Sequence, residues 1–243
     1  MAWTKVAETT FVRAKSAGGT VTLPGTPLED DIVIVGIGHD VFRPPITTSG
    51  YTNLYNRGSA TNLGVDLGYK VMGGTPDSTV VFTNPDDTGR ATAGVIQIWR
   101  GVDLSTPIDD PTATSATGTT GTPNPPSYTT ITAGALRMAF GVLDDDDVAA
   151  SVSAPSGYTN LLAEETGTAP SGATVMLASK EAGAPGAEDP AAFAGGYDAW
   201  SAVHFALRPV ASGGWTGKII GFTNPAKILG VPVADIAKVS NVA

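Results

Sequence analysis

A hexapeptide that occurs twice constrains this chain more than any other feature. Ser49-Gly50-Tyr51-Thr52-Asn53-Leu54 recurs letter for letter as Ser156-Gly157-Tyr158-Thr159-Asn160-Leu161. The surroundings match as well. Before each copy lies an apolar run, 32–37 in one case and 136–143 in the other, followed by a polar or acidic loop. After each copy a further run ends near a lysine, Lys70 and Lys180, and each half closes on an apolar run leading to an arginine, Arg100 and Arg208. The halves are read as 30–110 and 133–210. One half has too few strands to bury both faces of a sheet, so the two are expected to face each other within one domain. Two small tandem sandwiches are the alternative.

The apolar runs are short and rich in β-branched residues. Those at 20–23, 32–37, 67–72, 78–82, 94–100, 135–142, 174–179 and 201–207 read as strands. No window shows an amphipathic helical period. The 30 glycines and 18 prolines supply turns between strands and show no collagen-like repeat. The stretch 103–130, dense in Thr, Pro, Gly and Ser, reads as a long exposed connection. The expected fold is all-β: a jelly-roll-like β-sandwich of two similar halves over 1–211, then a short C-terminal docking tail over 212–243.

Charge narrows the partners. Hydrophobic residues make up 42% of the chain and charged ones 15%, so the surface is neutral-polar more than ionic. The formal net charge is −9, and the 14 Lys and Arg are scattered where a nucleic-acid surface needs them clustered. The absence of cysteine rules out disulfides, thiolate metal sites and Cys nucleophiles. Residues 1–6 lack the basic and apolar regions of a signal peptide, and no run approaches the roughly 20 apolar residues of a membrane span.

The tail has its own pattern. Lys218-Ile219-Ile220-Gly221-Phe222, Lys227-Ile228-Leu229-Gly230-Val231 and Lys238-Val239-Ser240-Asn241-Val242 share the order Lys, β-branched, any residue, Gly or Asn, apolar. The segment is too short to fold alone, and its apolar residues need a surface to cover. The stretch 228–239 resembles the Lys-Val-Asn-Gly-Val-type C-terminal repeats of tailed-bacteriophage structural proteins. Trp99-Arg100-Gly101-Val102-Asp103 is similar to a Tyr-Arg-Gly-Val-Asp-like strand end in phage β-sandwich appendage proteins, with Trp99 in place of the Tyr. The resemblance implies a virion protein, such as a head spike, fibre or tail appendage, assembled in the host cytoplasm. Its implied partners are other virion proteins, further copies of itself and host surface polysaccharide. It carries no catalytic residues. A free carbohydrate-binding module and a polysaccharide-degrading enzyme are the other readings.

Few residues stand out as chemistry. Tyr51, Tyr158 and Trp200 are candidates for stacking on sugars, against the reading that each tyrosine folds over the sandwich end. Trp3, Phe11, Lys218, Ile219, Phe222, Ile228, Val231, Ile236 and Val239 are the candidate assembly residues. In the run 144–147, Asp144 and Asp146 are candidates for calcium, but the run lacks the alternating spacing and central glycine of a calcium loop and reads as a solvated acidic loop. The acidic pairs 86–87 and 109–110 read the same way. No metal or cofactor is expected. His39 beside Asp40 and His204 within a strand have no nucleophile elbow to serve, so the chain reads as a non-enzyme.

Overall fold

The computed structural model describes residues 3–13, 18–40, 47–58, 63–83, 91–110, 112–144, 149–167 and 172–211, and two short strand pairs within 218–232. The chain falls into two compact units, Ala2–Pro209 and Val210–Ala243. The larger unit is an all-β sandwich.

Its first half supplies β1 (Thr4–Arg13), β2 (Gly18–Thr22), β3 (Ile32–Asp40), β4 (Thr47–Thr48), β5 (Thr52–Gly58), β6 (Leu63–Val71), β7 (Thr79–Thr83) and β8 (Thr92–Arg100). The second supplies β9 (Thr114–Gly118), β10 (Tyr128–Thr130), β11 (Leu136–Leu143), β12 (Thr159–Glu165), β13 (Thr174–Glu181), β14 (Gly186–Glu188) and β15 (Trp200–Leu207). One sheet has the order β1-β8-β3-β6-β5 and the other β9-β15-β11-β13-β12, all neighbours antiparallel. Taken in chain order, the two are the same sheet built twice. The correspondence extends outward: β2 pairs with β7, and β10 with β14, at equivalent points of the chain. Only β4, which joins β7, has no counterpart among the described strands.

This topology sharpens the sequence reading in three places. The repeat begins at β1 and β9, earlier than residues 30 and 133. The stretch 103–130 is not a plain exposed connection; it contains the edge strand β9 and the covering strand β10, and buries Ile108 and Tyr128. Each half keeps to its own sheet, so the strand order does not interleave the halves.

Alternation along the strands explains the layers. Ile32 and Ile34 of β3 face inward with Leu63, Val65 and Leu67 of β6, against Met138, Phe140, Val175, Leu177, Val203 and Phe205 of the other sheet. The intervening Val33, Val35 and Ile37 face outward, where Val21, Val80 and Phe82 of β2 and β7 cover them. A strand buried on both faces reads as a continuous apolar run, which is why β3 and β11 stand out in the sequence.

The sheets meet closely because glycine clears space. A Cβ at Gly36 would collide with the Phe140 ring from the facing sheet. Within the sheets, aromatic rings lie over glycines directly across the ladder: Phe11 over Gly94, His39 over Gly64 and Trp200 over Gly118. Such a ring restores the packing that a strand glycine lacks. Polar ties also cross between the sheets. Trp3 Nε1 donates to Gly134 O (2.8 Å), and Gln97 Nε2 to Asn160 O (2.8 Å).

Both halves close on a buried aspartate. Arg100 grips Asp31 in a fork, Nε to Oδ1 at 2.7 Å and Nη2 to Oδ2 at 2.9 Å. Arg208 lies 3.5 Å from the Asp109 carboxylate, and its Nη2 donates to Asp109 O at 2.7 Å. Asp109 is therefore not a solvated loop residue: it is fully buried, and its carboxylate also accepts from Ile131 N at 2.6 Å.

Candidate functional site

The two copies of the hexapeptide build the same turn. Tyr51 N donates to Thr48 O (3.3 Å) and Tyr158 N to Pro155 O (2.9 Å). Gly50 has φ 77° and Gly157 φ 81°, as the third residue of a type II turn requires. Each following strand bulges at once, between Asn53 and Tyr55 in β5 and between Thr159 and Leu162 in β12. Lys70 and Lys180 reach over the two glycines. Lys70 Nζ is held by Asp77 at 2.6 Å and Lys180 Nζ by Glu188 at 2.8 Å.

On this shared scaffold the two sites diverge. Counted from the first residues of β3 and β11, Val35 corresponds to Ala139. The ladder partners of Val35 are Gly68 and Ile96; those of Ala139 are Ala178 and His204. Two residues farther out, Asp66 and Asn56 stand where the second half has Met176 and Ala163.

In the second half the place is filled. Met176 and Ala178 are fully buried with Tyr158, Ala139 and Phe193. The Tyr158 hydroxyl lies 2.8 Å from His204 Nε2, and His204 Nδ1 lies 2.9 Å from Pro126 O. A carbonyl can only accept, so Nδ1 carries the proton and Nε2 accepts from the tyrosine. Burial pushes the pKa of His204 down to about 4, which keeps the ring neutral. Beside it, Arg137 and Lys180 share Glu188, at 2.5 and 2.8 Å.

In the first half the place is a polar cavity of about 210 Å³, lined by Thr48, Tyr51, Asn53, Asn56, Asp66 and Gly68. The Asp66 side chain is buried and accepts from Thr48 Oγ1 (2.5 Å), Asn53 Nδ2 (2.7 Å) and Asn56 Nδ2 (3.3 Å). All are neutral donors. Burial pushes its pKa up to about 6 against the opposing pull of those hydrogen bonds. Ile96 cannot do for Tyr51 what His204 does for Tyr158, and the buried Tyr51 hydroxyl meets no hydrogen-bond partner among the described residues. Burial, aided by the Asp77 carboxylate, raises the pKa of that hydroxyl. Asn53 is exposed and marks the solvent side of the cavity.

The candidate residues read from sequence are dispersed by the fold. Tyr51 lines the cavity. Tyr158 is buried beneath its own covering layer and presents no ring face for stacking. Trp200 is half-buried over Gly118, with Nε1 donating to Thr120 O (3.3 Å). Trp3 and Phe11 pack within the sandwich: Trp3 bonds Gly134, and Phe11 sits 5.6 Å from the Phe82 ring. Asp144 caps the end of β11, its N donating to Ala199 O (2.8 Å), while Asp146 and the pair 86–87 lie outside the described residues. Among the described residues no three His, Asp or Glu gather as a metal site would need. Lys218, Ile219, Phe222, Ile228 and Val231 belong to the two short strand pairs of the smaller unit; Ile236 and Val239 lie outside the described residues.

Asp66, Asn53, Asn56 and Thr48 escape a reading by motif. One signal was present: a carboxylate in the middle of Leu63-Gly64-Val65-Asp66-Leu67, where the alternating apolar residues demand a strand. No helix among the described residues is long and apolar enough to cross a membrane. Compared with protein-family models, with curated proteins and with solved structures, the chain matches none.

Proposed function

We propose that this chain is a non-enzymatic structural component of a phage-like virion, a head spike, fibre or tail appendage, present in several copies. The observation that carries the reading is the duplicated ladder of the C-terminal unit. Lys218 pairs with Thr223 and Ile219 with Phe222; Lys227 pairs with Pro232 and Ile228 with Val231. The register is the same both times, with two residues between the strands, Ile220-Gly221 and Leu229-Gly230. An isolated hairpin is marginal in water, so a series of two-residue ladders calls for a surface to settle on. Further copies of the chain, or a neighbouring virion protein, would supply it. The sandwich, with its central strands buried on both faces, serves as a rigid body carried by that anchor.

Light scattering of the full chain beside a 1–211 truncation tests this. The account expects a defined oligomer that becomes a monomer on truncation, with the sandwich still folded. Monomers in both cases would remove self-association as the role of the tail.

A further inference from the structure

We propose that the cavity at Asp66 is a binding site for a neutral, hydroxyl-rich ligand, a single sugar ring. The inference goes beyond the structural role and holds whether or not the tail anchors the chain.

The duplication supplies the first argument. The same fold closes the equivalent place with Met176, Ala163 and Ala178 in its second half, so nothing in the architecture requires a cavity there. Burying a carboxylate without a cationic partner disfavours folding. Three changes at one place, Met to Asp, Ala to Asn and Ala to Gly, separate the second half from the first. Each makes that place more polar or more open.

The lining chemistry supplies the second. Asp66 offers acceptors only, Asn53 and Asn56 offer amides, and Thr48 offers a hydroxyl. A sugar hydroxyl both donates and accepts, and matches such a mixed set. An anion would meet the Asp66 carboxylate with no basic side chain in the lining. Calcium takes six or more oxygens, commonly from several carboxylates. Here one carboxylate is present, and N–H and O–H donors already converge on it.

Size agrees. A cavity of about 150 Å³ holds a benzene-sized ring, and this one is about 210 Å³. Tyr51 also lines the cavity, packed against the apolar layer under β2 and β7.

The test uses the full-length protein and saturation-transfer NMR with glucose, galactose, mannose and N-acetylglucosamine as probes. At least one is expected to bind. Asn53→Ala, which removes an exposed amide at the solvent side of the cavity, should keep the fold and weaken that binding about five-fold. Asp66→Met, which installs the residue of the second half, should weaken it by roughly ten-fold or more. Tyr158→Phe should bind as the wild type does. No transfer to any of the four sugars would overturn the proposal, and so would transfer that persists unchanged in both cavity variants. A response to calcium chloride that needs Asp66, with none to sugar, would overturn it in favour of a cation site.

Discussion

Asp66 of β6 and Met176 of β13 hold the same register position in the two halves of one sandwich. The first is a carboxylate beside a cavity; the second is an apolar side chain that fills the equivalent space. The pair separates what the fold demands from what it merely tolerates, because each half acts as the control for the other.

The two buried titratable groups of these sites should oppose each other in acid. Asp66 has its folded pKa raised to about 6 from 3.8, so its contribution is fully present below pH 3.8 and is lost as pH rises through 6. His204 has its folded pKa lowered to about 4 from 6.5, so its contribution is present above pH 6.5 and is lost as pH falls through 4. Each shift corresponds to about 3 kcal/mol. Relative to wild type, Asp66→Asn should therefore lose about 3 kcal/mol between pH 7 and 4, and His204→Gln should gain a similar amount. Urea unfolding across that range reads both. Curves parallel to wild type would contradict the assignments.

Gly36 is required by Phe140. With no room for a Cβ between β3 and that ring, Gly36→Ala should destabilise the sandwich by about 3 kcal/mol. Phe140→Leu in the same chain should recover part of the loss, so a double-mutant cycle should show coupling between the sites. Additive losses would mean that the two sheets do not meet there.

Much of this arrangement was legible in the sequence, and the reasons it was not complete are physical. Strands β3, β8, β11 and β15 are covered on both faces, so apolar residues dominate them, with isolated polar breaks such as Gln97, Arg137 and His204. Strand β9, Thr114–Gly118, lies at a sheet edge and is built from Thr, Ser, Ala and Gly, so it looks like a loop. Asp109 looked solvated because its partner Arg208 is distant in sequence. The cavity stayed hidden because Gly64 and Asp66 interrupt an apolar run, and only the inward alternation of Leu63, Val65 and Leu67 shows that the strand continues through them.

The repeated turn makes a paired prediction. Gly50→Ala and Gly157→Ala each force a side chain into the left-handed region and should each cost about 1–2 kcal/mol. The two costs should be similar, because a Cβ at either glycine meets only the flexible end of a lysine in ordinary contact, Lys180 at 3.4 Å and Lys70 at 3.9 Å. Thermal unfolding of the two variants side by side checks this. A neutral effect at both would rule out the type II turn.

The central claim is that the cavity serves a ligand and not the fold. The most direct test is the stability of Asp66→Met at pH 7, measured by urea unfolding. Replacing an unpaired buried carboxylate with the residue of the other half should leave the protein as stable as wild type or about 1–3 kcal/mol more stable. A loss of several kcal/mol would contradict the account, because it would show that Asp66 and its ring of neutral donors hold the sandwich together.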